Sequence, residues 1–116
     1  MEVSKMFSTM PAMYWSKATQ MSYLQRRIIV YSIMYYQLNE SCVPDHVYEE
    51  YVKQLCTMMK DADAKTLERT AYYYVMYDFD GSTGFYLYDR LNKKDKAYLM
   101  QLAKHILEQW HREVQG

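Results

Sequence analysis

Glycine, proline and cysteine are all scarce in this chain of 116 residues, which contains three, two and two of them. So few glycines and prolines leave little material for the tight turns that a fold of many short strands requires. Half of the residues are apolar, which argues against a disordered chain. The composition therefore favours an all-α fold, and the length suits a single helical domain spanning residues 1–116.

Net charge is also absent, because 14 basic side chains balance 14 acidic ones. A domain without an overall field has no electrostatic means of attracting a polyanion, so nucleic acid is not an expected direct partner. Residues 41–80 nevertheless carry eight acidic and four basic side chains. This excess indicates either a solvated face or a patch for a basic protein partner. The residues that such a patch would use are Glu49, Glu50, Asp61 and Asp63.

Long hydrophobic runs are missing too. The longest uncharged stretch, residues 28–39, has about a dozen residues, whereas a bilayer-spanning helix needs roughly 20. The first 12 residues lack the continuous apolar segment of a secretory signal and are predicted to form a flexible arm. Two cysteines, Cys42 and Cys56, are typical of reduced thiols in a cytoplasmic protein, not of a disulfide framework.

The spacing of apolar residues predicts about four main helices. The first runs from about residue 13 to residue 39, where apolar side chains recur at intervals of three and four. Pro44 prevents its continuation, and Asp45 is predicted to cap the second helix. A third helix is predicted from a capping Asp63 to about Tyr77.

The last helix is predicted to begin at Asn92 or Asp95 and to bury a stripe of apolar residues. Between the third and fourth helices, residues 78–91 contain two of the three glycines. Glycines so placed predict an irregular loop.

No cluster of side chains indicates catalysis or a metal site. The three histidines and two cysteines do not fall at ligand spacing, and no phosphate-binding loop or nucleophile motif is present. The loop containing Asp78, Asp80 and Ser82 begins like a calcium loop, but it has Thr83 where such a loop needs glycine and Asp89 where it needs glutamate. A turn stabilised by its own side chains is the better interpretation. The sequence thus predicts a protein that is not an enzyme and holds no metal.

One stretch, "YYQLNESCVPDHVYEEYVKQL" from residue 35 to residue 55, resembles domain Ia of bacterial NAD-dependent DNA ligases. In that family the domain is a small helical unit that holds the nicotinamide mononucleotide half of NAD. One tyrosine stacks on the nicotinamide, and aspartates with a second tyrosine bond the ribose and the amide. The resemblance implies NAD or nicotinamide mononucleotide as ligand. The binding residues that it implies are Tyr35, Tyr36, Asp45, Tyr48 and Glu49.

Two of these residues depart from the family's pattern: Tyr36 stands where many ligases have histidine, and Glu49 where they have aspartate. The ligase's catalytic Lys-x-Asp-Gly motif is absent as well, because Asp78 precedes Asp80-Gly81 where the lysine would stand. The chain is similar instead to short ligase-related proteins of bacteriophages and mobile elements. This similarity implies a non-catalytic, phage-type binding protein in the cytoplasm of a bacterial host.

An alternative function remains open. The protein could be a phage or mobile-element antagonist of host defence, such as an inhibitor of a CRISPR nuclease, that acts by binding a host or phage protein. Its surplus of tyrosine and methionine, 14 and 10 residues, suits a protein interface.

Overall fold

The computed structural model describes residues 10–40 and 42–115. Its helices are α1 (Lys17–Ser32), which continues into a π-helical turn (Ile33–Gln37), α2 (Asp45–Asp61), α3 (Ala64–Glu68), α4 (Tyr73–Met76), α5 (Leu87–Arg90) and α6 (Lys93–Gln115). No strand occurs in the part of the chain that is described. The predicted all-α class is therefore confirmed. Within the same ranges, no helix is both long and apolar enough to cross a membrane.

Helix α1 lies at the centre of the fold and packs against α2, α6 and the short helices α3 and α5. Ser16 begins it, because the Ser16 hydroxyl accepts a hydrogen bond from the Thr19 amide at 3.2 Å. Nine of its 16 residues are buried, so most of the helix is covered by the rest of the fold. Leu24, Ile28 and Ile29 are accordingly fully buried. Each such side chain stabilises the fold by about 1.5–3 kcal/mol.

The two other long helices complete this core. Helix α2 contributes Tyr51 and Leu55, and α6 contributes Leu99 and Ala103, all of them buried. At the far end of α6, His111 lies 2.6 Å from a carboxylate oxygen of Glu40, which follows the π turn. This hydrogen-bonded contact ties the C-terminal helix to the segment that links α1 with α2.

The prediction of one continuous third helix is wrong, although its start is right. Asp63 caps α3 as predicted, since its carboxylate accepts a hydrogen bond from the Thr66 amide at 2.8 Å. The helix then stops at Glu68, and a second short helix begins only at Tyr73.

Side chains of α1 explain the break between α3 and α4. The Ser22 hydroxyl accepts a hydrogen bond from the Ala71 amide at 2.9 Å, and the Gln25 amide oxygen accepts one from the Tyr72 amide at 3.0 Å. The Gln25 amide nitrogen donates to the Thr70 hydroxyl at 2.9 Å. A continuous helix would have satisfied these backbone groups itself. Between α3 and α4, hydrogen bonds to side chains of α1 replace the backbone hydrogen bonds of a continuous helix.

The prediction that Asp45 caps α2 is also wrong. Pro44, with ψ of 144°, provides the extended backbone that precedes the helix, so Asp45 is already the first helical residue. Pro44, which occupies the cap position, provides no side-chain hydrogen bond to the helix. Asp45 still lies at the positive end of the helix dipole, where an acidic side chain is favourable.

The glycine-containing segment 78–91 is largely irregular, as predicted, but it includes the single turn α5. Arg90 holds it in place by donating to both carboxylate oxygens of Asp78, at 2.6 and 3.1 Å, and to the Val75 carbonyl at 2.9 Å. The guanidinium lies 4.3 Å from the ring centre of Tyr86 and 5.1 Å from that of Tyr77. Its hydrogen bond with Asp78 lowers the pKa of that carboxyl group.

These contacts agree with the interpretation of the segment as a structural turn. Asp78 is paired with Arg90, and Asp80 accepts a hydrogen bond from the Ser82 amide at 2.9 Å. In the described ranges no three acidic, histidine or cysteine side chains converge as metal ligands would. Asn92 then caps α6 by accepting a hydrogen bond from the Asp95 amide at 2.8 Å.

The predicted N-terminal arm, residues 1–12, falls mostly outside the described residues. Residues 10–12 are described, and among them Pro11 is buried.

Candidate functional site

The π-helical turn at the end of α1 sets the position of Tyr35 and Tyr36. Here the Leu38 amide donates to the carbonyl of Ile33, five residues earlier, at 3.1 Å. The wide turn changes the direction of the side chains that follow Tyr31. The apolar spacing places Tyr35 on the buried face, yet Tyr35 is 60% exposed. Turns of this type are rare and occur frequently at functional sites.

The helix ends directly after this turn. Asn39 adopts a left-handed conformation with φ of 54°, and the Glu40 amide reaches back to the carbonyl of Met34 at 3.0 Å. Asparagine is one of the few residues that tolerate this conformation, which commonly terminates helices. The chain then crosses to Pro44 and starts α2. The corner predicted from the sequence therefore exists, with the π turn on one side and the first turn of α2 on the other.

A cleft of about 230 Å³ lies at this corner, between the π turn, the start of α2 and the loop at residues 81–84. Four of the five ligand-binding residues implied by the ligase resemblance line it: Tyr35, Tyr36, Asp45 and Tyr48. The fifth, Glu49, is exposed and does not line the cleft. Successive helix positions are rotated by about 100°, so the residue after Tyr48 points away from the side of α2 that Tyr48 occupies.

Tyr36 joins one wall of the cleft to the glycine-containing loop. Its ring makes an edge-to-face contact with Tyr35, at a centroid distance of 4.8 Å, and another with Phe85 at 5.3 Å. Its hydroxyl lies 3.4 Å from that of Thr83. Phe85 and Thr83 were not predicted as site residues. The only sequence signal for Phe85 is its position directly after a glycine in the segment richest in turn formers.

Ser32, Tyr48 and Gly84 meet inside the cleft. The Ser32 hydroxyl donates to the Ile28 carbonyl at 2.9 Å. A Cβ atom on Gly84 would clash with the Ser32 hydroxyl and would lie 3.3 Å from the Tyr48 hydroxyl, so only glycine allows this approach. Burial raises the pKa of Tyr48, and a hydrogen bond with Ser32 lowers it by a smaller amount. Tyr48 is therefore a neutral phenol at physiological pH and can both donate and accept a hydrogen bond.

Asp45 is the one residue with a formal charge among the described residues that line the cleft. Cys42, which also lines it, is buried, and this burial raises its pKa to about 11. Its sulfur donates to the thioether of Met34 at 3.8 Å. A thiol with so high a pKa is protonated at neutral pH and is a poor nucleophile. The chemistry of the cleft is thus that of aromatic rings, hydroxyl groups and one carboxylate.

The four acidic residues predicted for a protein partner lie near the two ends of α2. All four are exposed, but Glu50 and Asp61 are separated along α2 by about 16 Å. Lys53 and Lys60 lie on the same helix. Asp61 and Asp63 instead border a second hollow, which also includes Lys17.

Comparisons of the chain with protein-family models, with curated proteins and with solved structures found no match. The resemblance to ligase domain Ia therefore stays a prediction that depends on the spacing of Tyr35, Asp45 and Tyr48 in the sequence.

Proposed function

We propose that this protein is a non-catalytic ligand-binding protein whose cleft holds the nicotinamide mononucleotide part of a nicotinamide nucleotide. The supporting observation is that Tyr35, Tyr36, Asp45 and Tyr48, which belong to two different helices, line a single cleft. Tyrosine rings offer flat apolar faces for an aromatic ring. The Asp45 carboxylate is an acceptor for ribose hydroxyls, and the Tyr48 hydroxyl is a partner for an amide.

The size of the cleft supports a mononucleotide over a whole dinucleotide. Pockets for drug-sized ligands have volumes of about 300–1,000 Å³, and the volume of about 230 Å³ is below that range. A flat ring with its sugar suits such a space. NAD would accordingly bind through its nicotinamide half, with the adenosine outside. In this proposal the protein is a product of a bacteriophage or mobile element and acts in the cytoplasm of a bacterial host.

The test is calorimetric titration of the protein with nicotinamide mononucleotide. Tyr35→Ala is expected to weaken binding about fivefold, because an aromatic pair contributes about 0.5–1.5 kcal/mol beyond its buried area. Tyr14→Ala is the matched control, since Tyr14 is 88% exposed and does not line the cleft. The Tyr14→Ala variant should bind nicotinamide mononucleotide with the same affinity as the unmodified protein. Absence of binding to the unmodified protein at millimolar ligand would contradict the proposal.

A second candidate is the antagonist of host defence, acting through protein–protein contact. The observation that favours it is the exposure of two aromatic side chains beside the cleft, Tyr35 at 60% and Phe85 at 63%. Exposed aromatic residues often anchor protein interfaces. The partner in this proposal is a host protein such as a CRISPR nuclease.

Phe85→Ser and Asp45→Asn together distinguish this candidate from the first, because Asp45 lines the cleft and Phe85 does not. Capture of partners from host lysate should lose a specific protein with Phe85→Ser, while Asp45→Asn should retain it. Reversal of the charges at Glu49, Glu50, Asp61 and Asp63 tests whether acidic residues contribute. A partner set that is the same for all variants and the unmodified protein would count against a role in protein binding.

A further inference from the structure

We infer that the cleft selects the positively charged nicotinamide riboside unit and leaves the phosphate of the nucleotide in solvent. This inference depends on the proposed function and names the chemical class that the cleft prefers, an aromatic cation. It follows from the charges and rings around the cleft, which the ligase resemblance does not specify.

The phosphate finds no basic side chain among the residues described at the cleft. Proteins bind phosphate with arginine, with lysine or with free backbone amides. Neither arginine nor lysine is present among the residues described at the cleft, whereas Asp45 is. A phosphate that entered would exchange water for a site without an arginine or lysine among its described residues and with a carboxylate nearby. It is therefore better placed outside.

The start of α2 does not change this balance. A helix N-terminus carries about half a positive charge and can attract an anion. Here, however, the preceding residue is Pro44, which has no backbone N–H, and the first helical residue is Asp45. The full negative charge of Asp45 exceeds the partial charge of the helix end. The entrance of the cleft is thus negative on balance.

The tyrosine rings at the cleft attract a cationic ring. The faces of tyrosine rings carry negative electrostatic potential and attract organic cations. Tyr35 and Tyr36 present such rings at the wall of the cleft, and their edge-to-face contacts with each other and with Phe85 hold them in position. The oxidised nicotinamide ring of a riboside is a pyridinium cation, whereas the reduced ring is neutral. Both the rings and Asp45 therefore favour the oxidised form.

Calorimetric titration of the intact protein with three probes tests the inference: nicotinamide riboside, nicotinamide mononucleotide and reduced nicotinamide riboside. The riboside is expected to bind at least as tightly as the mononucleotide, and the reduced riboside at least tenfold more weakly. Mononucleotide binding that is tenfold tighter than riboside binding would overturn the inference, because it would reveal a partner for the phosphate. Equal binding of the two redox forms would also overturn it. Both of these results would leave the proposed nicotinamide site intact, whereas absence of binding by all three probes would refute the site itself.

Asp45→Asn examines the contribution of the carboxylate, and Glu49→Gln is its matched control. Both residues are exposed and both changes remove one negative charge, but only Asp45 lines the cleft. Asp45→Asn should weaken riboside binding about tenfold and reduce the preference for the oxidised form. Glu49→Gln should change neither quantity. Equal effects of the two variants would show that net charge alone matters and would overturn selection by the cleft.

Discussion

Gln25→Ala is expected to lower the free energy of unfolding by about 2–4 kcal/mol, the largest effect among the substitutions considered. Gln25 is 1% exposed, and its amide group bonds both the Thr70 hydroxyl and the Tyr72 amide. Truncation leaves the Tyr72 amide without its acceptor inside the protein and opens a cavity beside α1. A buried group that loses its partner costs about 1–3 kcal/mol by itself.

The measurement is urea unfolding followed by circular dichroism at 222 nm, with the slope of the transition compared between variants. Gln101→Ala is the matched control, because Gln101 is exposed on α6. Its free energy of unfolding should stay within about 0.5 kcal/mol of that of the unmodified protein. Equal stability of Gln25→Ala and Gln101→Ala would show that the break between α3 and α4 does not depend on Gln25.

This break illustrates what the sequence can and cannot predict about the fold. Helices α1, α2 and α6 were predictable because a long apolar repeat is a local signal that packing then reinforces. The apolar spacing continues through residues 69–72, so no local signal marks the break there. Amides of this interval bond with Ser22 and Gln25, which lie 49 and 47 residues away in the sequence. The spacing of apolar residues therefore predicted one helix where the structure has α3 and α4. Side chains distant in the sequence replace the helical hydrogen bonds between them.

For the cleft too, the sequence could predict the residues that are close together in the chain but not those that come from distant segments. Tyr35, Asp45 and Tyr48 belong to one continuous stretch, so their spacing could predict that they meet at a corner. The π turn could not be predicted, because it depends on how α1 ends against the rest of the core. Thr83 and Gly84 come from a loop whose contact with Tyr36 spans 47 residues. Glu49 is part of the same stretch but does not line the cleft, because a residue adjacent in sequence faces another direction on a helix.

Gly84→Ala is expected to lower the free energy of unfolding by about 1–3 kcal/mol, the usual range for an extra methyl group in a packed site. The new Cβ would clash with the Ser32 hydroxyl and would lie 3.3 Å from both the Ser32 Cβ and the Tyr48 hydroxyl. Relief requires the loop to move away from α1 or Tyr48 to tilt into the cleft. Urea unfolding measures the loss, and calorimetry with nicotinamide mononucleotide should show weaker binding by the same variant.

A double-mutant cycle with Ser32→Ala identifies the contact responsible, because Ser32→Ala removes the atom closest to the new methyl group. By itself this change deletes the hydrogen bond to the Ile28 carbonyl and should cost about 0.5–1.5 kcal/mol. In the double variant the methyl group occupies the space that the hydroxyl vacated. The combined loss should therefore be smaller than the sum of the single losses by about 1 kcal/mol, which is a coupling typical of residues in contact. Strict additivity would mean that the approach of Gly84 to Ser32 does not limit the stability of the cleft.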